Sequence, residues 1–189
     1  MDPAPNLVLV GPMGAGKSSI GRQLAQRLGM EFVDLDGEIE RRTGASVSTI
    51  FECEGEAGFR ARERAALAEI LEGAGRVVAS GGGAVLDAGN RRLMRERGFV
   101  VYLHVSVPVQ LERLARDRSR PLLAVDDREA VLQRLSDERG PLYREVAHLR
   151  FETGSDPASA ACARLAGLLK AQWRRPQPAA AAARGAKSA

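Results

Sequence analysis

The chain has 189 residues, of which 44% are hydrophobic and 28% are charged, and this length and composition predict one domain with a packed core. No apolar run approaches the roughly 18 residues of a membrane span, and the first residues lack the basic and apolar regions of a secretory signal, so we expect neither. The net charge of +4 lies entirely in residues 174–189, which are rich in Ala and Pro and which we expect to be a disordered tail. Residues 1–173 therefore have no net charge, which argues against a nucleic-acid-binding protein.

Five short apolar runs alternate along the chain with segments of helical spacing. The runs predict strands over 6–10, 31–35, 75–80, 99–105 and 148–152. The helical patterns cover 16–28, 37–43, 46–53, 56–73, 87–97, a helix opened by Pro108, a helix from the cap at 126–127 to about 143, and a last helix from about 157 that carries Ala161, Leu165, Leu168 and Leu169. This alternation predicts an α/β fold, a three-layer sandwich in which a five-stranded parallel sheet has helices on both faces and ligands bind beyond the carboxyl ends of the strands.

A glycine-rich segment lies between the first strand and the first helix. Residues 11–18 fit the pattern GxxxxGK[ST], in which backbone N–H groups and a helix N-terminus bind the phosphates of a nucleoside triphosphate. Lys17 is expected to reach the β- and γ-phosphates, and the Ser18 hydroxyl is expected to be a direct ligand of Mg²⁺. The pattern in this position predicts a P-loop NTPase-type fold whose ATP site includes Gly14, Ala15, Gly16, Lys17 and Ser18.

A phosphate loop alone does not separate a kinase from a GTPase, an ATPase motor or a nucleotide-sensing regulator. The chain has no Asn-Lys-x-Asp motif of the GTPase type, and its third strand is followed by glycines instead of an acid. Asp34 and Asp36 come at the end of the second strand, where a spacing of two places both carboxylates on the same side of a strand. One could hold Mg²⁺ through water while the other faces an acceptor hydroxyl, although Asp36 could also serve only as a cap of the next helix.

Two arginines and one acid lie on the inward faces of predicted helices. Glu63 interrupts an apolar stripe, so it requires a partner of opposite charge, and Arg60 is the natural one. Arg139 continues an apolar stripe of its own helix and is expected to point inward, with a structural ion pair as the alternative. A planar guanidinium group can bind a carboxylate through two N–H groups, and an aspartate can bind hydroxyls. The two arginines and Asp36 therefore predict a pocket for a small, anionic, hydroxylated acceptor, and the backbone of Gly81, Gly82 and Gly83 completes this pocket.

The segment RDRSRPLL at 116–123 is highly charged and contains a proline, which is typical of a mobile lid, here over about 113–125. A lid arginine that closes over the transferred phosphate stabilises the charge on its oxygens. Arg120 is the candidate because Pro121 fixes the chain beside it. Arg116 and Arg118 are expected to be solvated or to face the nucleotide.

Five further segments accompany the phosphate loop: DLDGEIERRTG, GEAGFRARE, GGGAV, RPLL and RGPLYREVA. In this order and spacing, over about residues 6–170, the chain resembles the shikimate kinase family. The resemblance implies that Asp36 contacts the shikimate hydroxyls and helps activate the attacking one, while Asp34 serves the water shell of Mg²⁺. It also implies that Arg60 and Arg139 hold the shikimate carboxylate.

The resemblance assigns roles to further residues. Gly82 would offer its backbone N–H to the acceptor, and Glu63 would orient the substrate-binding arginine. Arg113 would pack against adenine, and Arg120 would act on the phosphates. Two departures from the family pattern concern the nucleotide: Ser19, in the ATP site, stands where members often have threonine, and the loop at 153–156 lacks the basic residue that some members carry beside adenine.

The expected reaction is ATP-dependent phosphorylation of the 3-hydroxyl of shikimate, which gives shikimate 3-phosphate and ADP, with Mg²⁺ as cofactor. The expected partners are shikimate and ATP, with no nucleic acid and no membrane, and we expect a cytoplasmic monomer. A gluconate-type or nucleoside-monophosphate kinase is a rival in the same class, although the paired arginines argue against it. A nucleotide-sensing regulator would keep the phosphate loop but tend to lose Asp36 or Arg120, and a nucleic-acid role of the tail is tested by deleting residues 174–189.

Overall fold

The structure, a computed structural model, describes residues 4–115, 127–154 and 156–174. Its strands are β1 (Asn6–Val10), β2 (Glu31–Asp34), β3 (Arg76–Ala79), β4 (Gly98–His104) and β5 (Leu149–Glu152). Its helices are α1 (Lys17–Leu28), α2 (Leu35–Thr43), α3 (Val47–Glu72), α4 (Ala88–Arg97), α5 (Val107–Leu114), α6 (Arg128–Val146) and α7 (Ala158–Gln172), with a short 3₁₀ turn at Ala84–Leu86. Within these ranges, none of the helices is both long and apolar enough to pass through a bilayer.

The five strands form one parallel sheet in the order β2-β3-β1-β4-β5. β1 lies at the centre, between β3 and β4, and all five of its residues are buried. A strand that is covered on both faces needs apolar side chains on both, which is why β1 is an almost continuous apolar run rather than an alternating one. The predicted α/β fold with a five-stranded parallel sheet is confirmed.

Alternate residues of the sheet face two separate hydrophobic cores. Leu7 and Leu9 of β1 point into a core shared with α1 and α7. Val8 and Val10 point into a core on the other face, which is shared with α2, α3, α4 and α6. Because helices cover both faces, a ligand can approach the sheet only at the ends of its strands, and the loops at the carboxyl ends hold the residues described below.

Two predicted helices form a single element with a break. The sequence predicts helices over 46–53 and 56–73, and the structure joins them as α3, interrupted only at Gly55. The φ of Gly55 is 69°, in the left-handed region that glycine adopts without steric strain. The second half of α3, after the break, carries the predicted apolar stripe with Glu63 in it, and the stripe is buried.

Leu168 does not share the buried stripe of α7 that the sequence predicts, because it is 39% exposed. The face of α7 that packs on the sheet consists of residues 161, 162, 165, 166 and 169. Leu168 lies beside this face, one position from its last member, so its helical spacing from Leu165 did not place it in the core.

The two ends of the described chain meet at the amino-terminal edge of the sheet. The Ala4 N–H donates a hydrogen bond to the Arg174 carbonyl at 3.2 Å, and the Trp173 indole N–H donates to the Ala4 carbonyl at 3.0 Å. The Trp173 ring is buried in the core formed by α1 and α7. These contacts fix both ends at the opposite side of the sheet from the strand ends where ligands bind in such folds.

Candidate active site

The phosphate loop lies between the end of β1 and the start of α1. Gly16 precedes the first residue of α1 with a φ of 87°, a conformation that side-chain-bearing residues rarely adopt. No side chain caps the N-terminus of α1. A helix N-terminus with uncapped N–H groups at the end of a buried strand is suited to bind phosphate oxygens.

Lys17 and Ser18 occupy the first turn of α1. The Lys17 ammonium donates to the carbonyls of Gly11 and Pro12, both at 2.8 Å, which places its charge within the loop. The Ser18 hydroxyl donates to Asp34 Oδ2 at 2.5 Å, across the gap between α1 and β2. The loop therefore presents a cation, and beside it a hydroxyl paired with a carboxylate.

The oxygens of Ser18 and Asp34 form a donor set that fits Mg²⁺. This cation prefers oxygen ligands, keeps several waters and is commonly held by one or two protein groups together with substrate phosphates. Among the residues that the structure describes, no group of three or more His, Cys, Asp or Glu side chains could enclose a metal. A hydroxyl and a carboxylate next to a candidate phosphate site therefore suit an Mg²⁺ ion that is held mainly by nucleotide phosphates and water.

Asp36 lies in a helix, which corrects the sequence prediction that it extends the second strand with Asp34. β2 ends at Asp34, whose carboxylate caps α2 by accepting a hydrogen bond from the Gly37 N–H at 3.4 Å. The cap is therefore Asp34, and the alternative that Asp36 caps this helix is wrong. Asp36 is in the first turn of α2, and a methyl group built on Gly81 would lie 2.8 Å from Asp36 Oδ1 and 2.8 Å from Glu63 Oε1. The two aspartates therefore face different groups.

Arg60 and Glu63 form the ion pair that the sequence predicts. Arg60 Nη1 donates to Glu63 Oε2 at 2.8 Å, and Nη2 donates to Glu56 Oε1 at 3.2 Å. The Glu63 side chain is only 1% exposed, and its burial raises the pKa of this carboxyl, while the charge of Arg60 partly offsets that shift. A methyl group on Gly83 would overlap the Arg60 guanidinium, so this guanidinium lies against the glycine run.

Arg139 reaches the same glycine run from α6, and it is buried as predicted. Its Nη1 would lie 3.8 Å from a methyl group on Gly82, and its Nε is buried with no hydrogen-bond partner in the described part of the chain. A buried guanidinium nitrogen without a partner is costly, and an anionic ligand would satisfy it.

Sequence reasoning missed Tyr143, one turn after Arg139 on α6. The residue is 2% exposed, and its hydroxyl donates to the Gly82 carbonyl at 2.6 Å. The spacing of four from Arg139 was the available signal, because Leu135, Arg139 and Tyr143 continue one helical stripe. The predicted helix ends at about this residue, whereas α6 continues to Val146.

A cleft of about 1270 Å³ connects the phosphate loop with the glycine run after β3. Its lining includes most of the predicted site residues: Gly14, Ala15, Gly16, Lys17, Ser18, Ser19, Asp34, Asp36, Arg60, Gly81, Gly82, Gly83, Arg113 and Arg139. Residues from α1, α2, α3 and α6 thus face one shared space. The geometry provides a phosphate-binding end and an end with two arginines and two buried or half-buried acids.

Arg113 closes one side of the phosphate end. It donates to the Gly14 carbonyl at 2.7 Å and also to the Gly154 carbonyl, so it connects the phosphate loop with the loop after β5. Arg120, with most of the predicted lid over 113–125, lies outside the described residues.

Comparisons with known proteins agree on one family. The family model described as shikimate kinase matches residues 13–170 of the chain. A relative named shikimate kinase from Stenotrophomonas maltophilia is 59% identical over 175 residues, which cover 93% of this chain and 97% of the relative. Another shikimate kinase, from Xanthomonas campestris pv. campestris, is 58% identical over 174 residues, which cover 92% of this chain and 97% of the relative. The solved structure of the shikimate kinase from Acinetobacter baumannii in complex with shikimate matches with a TM-score of 0.86 and 49% identity, over 89% of this chain and 94% of that one.

Proposed function

The chain belongs to the shikimate kinase family and phosphorylates shikimate with ATP as co-substrate, and we propose that the cleft between the phosphate loop and the glycine run is where the 3-hydroxyl receives the phosphoryl group. The observation that carries the placement is the convergence of Asp36, Arg60 and Arg139 on the glycine run at 81–83. The guanidinium groups of Arg60 and Arg139 suit a carboxylate on the substrate, and the Asp36 carboxylate suits its hydroxyls. This end of the cleft therefore matches an acceptor that bears a carboxylate and hydroxyl groups.

The phosphate end holds ATP in this proposal. The backbone N–H groups of the loop and of the α1 N-terminus bind the β- and γ-phosphates, with Lys17 adding its charge. The residues assigned to ATP are Gly14, Ala15, Gly16, Lys17, Ser18, Ser19, Arg113 and Arg120. Arg113 is placed against adenine because it lies where the phosphate loop meets the loop after β5. Arg120, assigned from the sequence alone, acts on the transferred phosphate.

Mg²⁺ is assigned to Ser18 as a direct ligand and to Asp34 through water. When bound, the ion neutralises charge on the β- and γ-phosphate oxygens. The hydrogen bond between Ser18 and Asp34 supports this assignment, because it places the two oxygen groups side by side at the phosphate end.

The acceptor end orients shikimate for attack. Arg60 and Arg139 bind its carboxylate, and Gly81, Gly82 and Gly83 border it through their backbone. Asp36 contacts the hydroxyls and helps activate the attacking one, while Glu63 holds the Arg60 guanidinium at the pocket. Most of the rate enhancement then comes from positioning and charge stabilisation, since phosphoryl transfer needs little covalent assistance.

The remaining proposals concern the organisation of the protein. We propose that residues 1–173 form the kinase domain, with 174–189 as a tail that catalysis does not need. The protein is proposed to act as a monomer, because the acceptor and nucleotide ends both lie within one chain. It is also proposed to act in the cytoplasm on small molecules and without nucleic acid, since residues 1–173 carry no net charge.

An ADP-release assay with MgATP tests the proposed reaction. Shikimate, gluconate, CMP and no acceptor are supplied in separate reactions. ADP release that depends on shikimate is the expected result. Turnover with gluconate or CMP would keep the kinase fold but contradict the acceptor chemistry, and nucleotide binding without acceptor-dependent turnover would favour a nucleotide-sensing regulator.

A further inference from the structure

Tyr143 lies behind the acceptor end and has no role in the reaction as described so far. Its side chain is buried, and its hydroxyl donates to the Gly82 carbonyl at 2.6 Å. Burial raises the pKa of Tyr143 well above its usual range, so the hydroxyl keeps its proton and stays a donor at any working pH. The hydroxyl can therefore donate to the Gly82 carbonyl over the whole pH range of an activity assay.

The Gly82 carbonyl belongs to a run of three glycines, in which the Gly81 and Gly83 carbonyls accept hydrogen bonds from the backbone N–H groups of Ala84 and Leu86. Gly81, Gly82 and Gly83 follow one another, and without Cβ atoms their peptide planes rotate more freely than those of other residues. In a trans peptide, the Gly83 N–H points opposite to the Gly82 carbonyl. Anchoring this carbonyl therefore fixes the direction of a backbone donor beside the acceptor.

The same hydroxyl and Arg139 both lie beside Gly82, because a methyl group built on this glycine would lie 3.6 Å from the hydroxyl and 3.8 Å from Arg139 Nη1. This arginine lies one helical turn earlier on α6, and its positive charge lowers the pKa of the Tyr143 hydroxyl against the larger rise that burial causes. The Arg139 Nε is buried without a hydrogen-bond partner in the described ranges, so the direction of the guanidinium depends on the groups packed near it, and the Tyr143 hydroxyl is one of them.

The Tyr143 ring is itself held in place. It stacks on the ring of Tyr102 with centroids 5.1 Å apart and planes inclined by 27°. Tyr102 on β4 is in register with Val10, the last residue of β1 before the phosphate loop. The phenol is thus fixed relative to the strand that leads to the ATP site.

We propose that Tyr143 is a positioning residue for shikimate, whose hydroxyl holds the Gly82 carbonyl and the Arg139 guanidinium in the one arrangement that the acceptor needs. The residue does not touch the reacting atoms and acts through its two partners. This inference rests on the proposed acceptor site, because it says that Tyr143 sets the direction of the Arg139 guanidinium that binds shikimate there.

The test compares Tyr143→Phe with Tyr102→Phe, which removes the hydroxyl of the stacked ring that does not line the cleft. Tyr143→Phe is expected to raise the KM for shikimate roughly threefold to tenfold, the effect of one hydrogen bond, with the KM for ATP unchanged. Tyr102→Phe is expected to leave both values unchanged. The assays are repeated with a stabilising osmolyte, which restores activity lost by partial unfolding but not by a misdirected guanidinium.

A double-mutant cycle with Arg139→Ala identifies the route of the effect. Because Tyr143 acts partly through Arg139, the free-energy effects of the two single variants on the KM for shikimate are expected to be less than additive in the double variant. A wild-type KM in Tyr143→Phe, an effect that the osmolyte removes, or additive effects in the cycle would each overturn the inference. An unchanged KM in Arg139→Ala would instead overturn the proposed acceptor site, so the two failures are distinguishable.

Discussion

The two ends of the cleft are built in different ways. The phosphate end, called the donor end from here on, consists of eight consecutive residues, 11–18, and presents mainly backbone groups at a helix N-terminus. The acceptor end consists of side chains from α2, α3 and α6 that meet over a glycine run, and its members are spread from residue 36 to residue 143. A contiguous backbone site is common to many nucleotide-binding proteins, whereas the dispersed side chains are the groups that we propose to select the substrate.

The two ends also differ in charge. The acceptor end holds two arginines with a carboxylate that is almost fully buried, so each of these charges depends on its partners. The donor end has Lys17 hydrogen-bonded to carbonyls of its own loop. Substitutions at the donor end should therefore change turnover, and those at the acceptor end should change the affinity for shikimate.

Lys17→Ala gives the sharpest test of this division. We expect kcat to fall by about 10²–10³-fold, because the charge that develops during transfer loses one preorganised donor. The KM for shikimate should change little, which steady-state kinetics with each substrate varied in turn will show. Lys170→Ala, at an exposed position of α7, is the matched control. A loss of shikimate affinity as large as the loss of turnover would show that the two ends are not separate.

Arg139→Ala should have its effect on the acceptor. We expect the KM for shikimate to rise roughly 10- to 100-fold, as for the loss of a hydrogen bond to a charged group, with kcat at saturating shikimate much less affected. Arg144→Ala removes an exposed arginine from the same helix and should leave the kinetics unchanged. Arg139→Lys keeps the charge but loses the planar fork, so it should recover only part of the affinity. An unchanged KM in Arg139→Ala would contradict the assignment.

Gly83→Ala tests whether the glycine run makes room for Arg60. The added methyl group would overlap the guanidinium, while the φ of −95° suits alanine, so the side chain must move and the backbone need not. We expect the KM for shikimate to rise about tenfold with little change in Tm, since one charged hydrogen bond is misdirected. Gly167→Ala is the control, because nothing lies within 4 Å of a methyl group there. A large drop in Tm without a change in KM would show that Arg60 is fixed by the fold instead.

Glu38→Gln probes the surface charges of α2, beside the acceptor end, and should have the smallest effect. Hydrogen bonds from Arg41 and then Arg42 lower the pKa of Glu38 from its usual 4.5 to about 2. The interaction of the Glu38 carboxylate with these arginines therefore stabilises the folded state above pH 4.5, and this contribution to the free energy of unfolding is lost as the pH falls towards 2. We expect the variant to lose about 1 kcal/mol at neutral pH, since the pair is partly solvated.

Urea unfolding over a pH series measures this effect. The difference between Glu38→Gln and the wild type should close as the pH falls, and turnover at neutral pH should stay unchanged. Glu69→Gln, at a 62% exposed carboxylate that shares only Arg42, should lose less. A difference that persists at low pH would mean that the ion pairs are not its source.

The same contrast explains what the sequence could predict. The donor end is a local pattern between a strand and a helix, so its residues could be assigned in order. Arg60 and Glu63 are three residues apart on one helix face, and their pairing followed from an acid in an apolar stripe.

One of the two errors is a local choice of backbone conformation, and the other depends on a distant element. The position of Asp36 depended on whether the chain turns into a helix after Asp34, and a spacing of two between acids is the same in a strand and at a helix start. Tyr143 was missed because its partner, Gly82, is 61 residues away in sequence and no local pattern connects them.

The meeting of Ala4 with Trp173 and Arg174 has a consequence for engineering. Since these residues are within hydrogen-bonding distance at the amino-terminal edge of the sheet, a short linker could join them without crossing the cleft. The chain could then be opened in a surface connection far from the cleft, to give a circularly permuted enzyme with both substrate-binding ends intact. For the same reason, a fused reporter or an immobilising tag at either end would leave the entrance to the cleft clear.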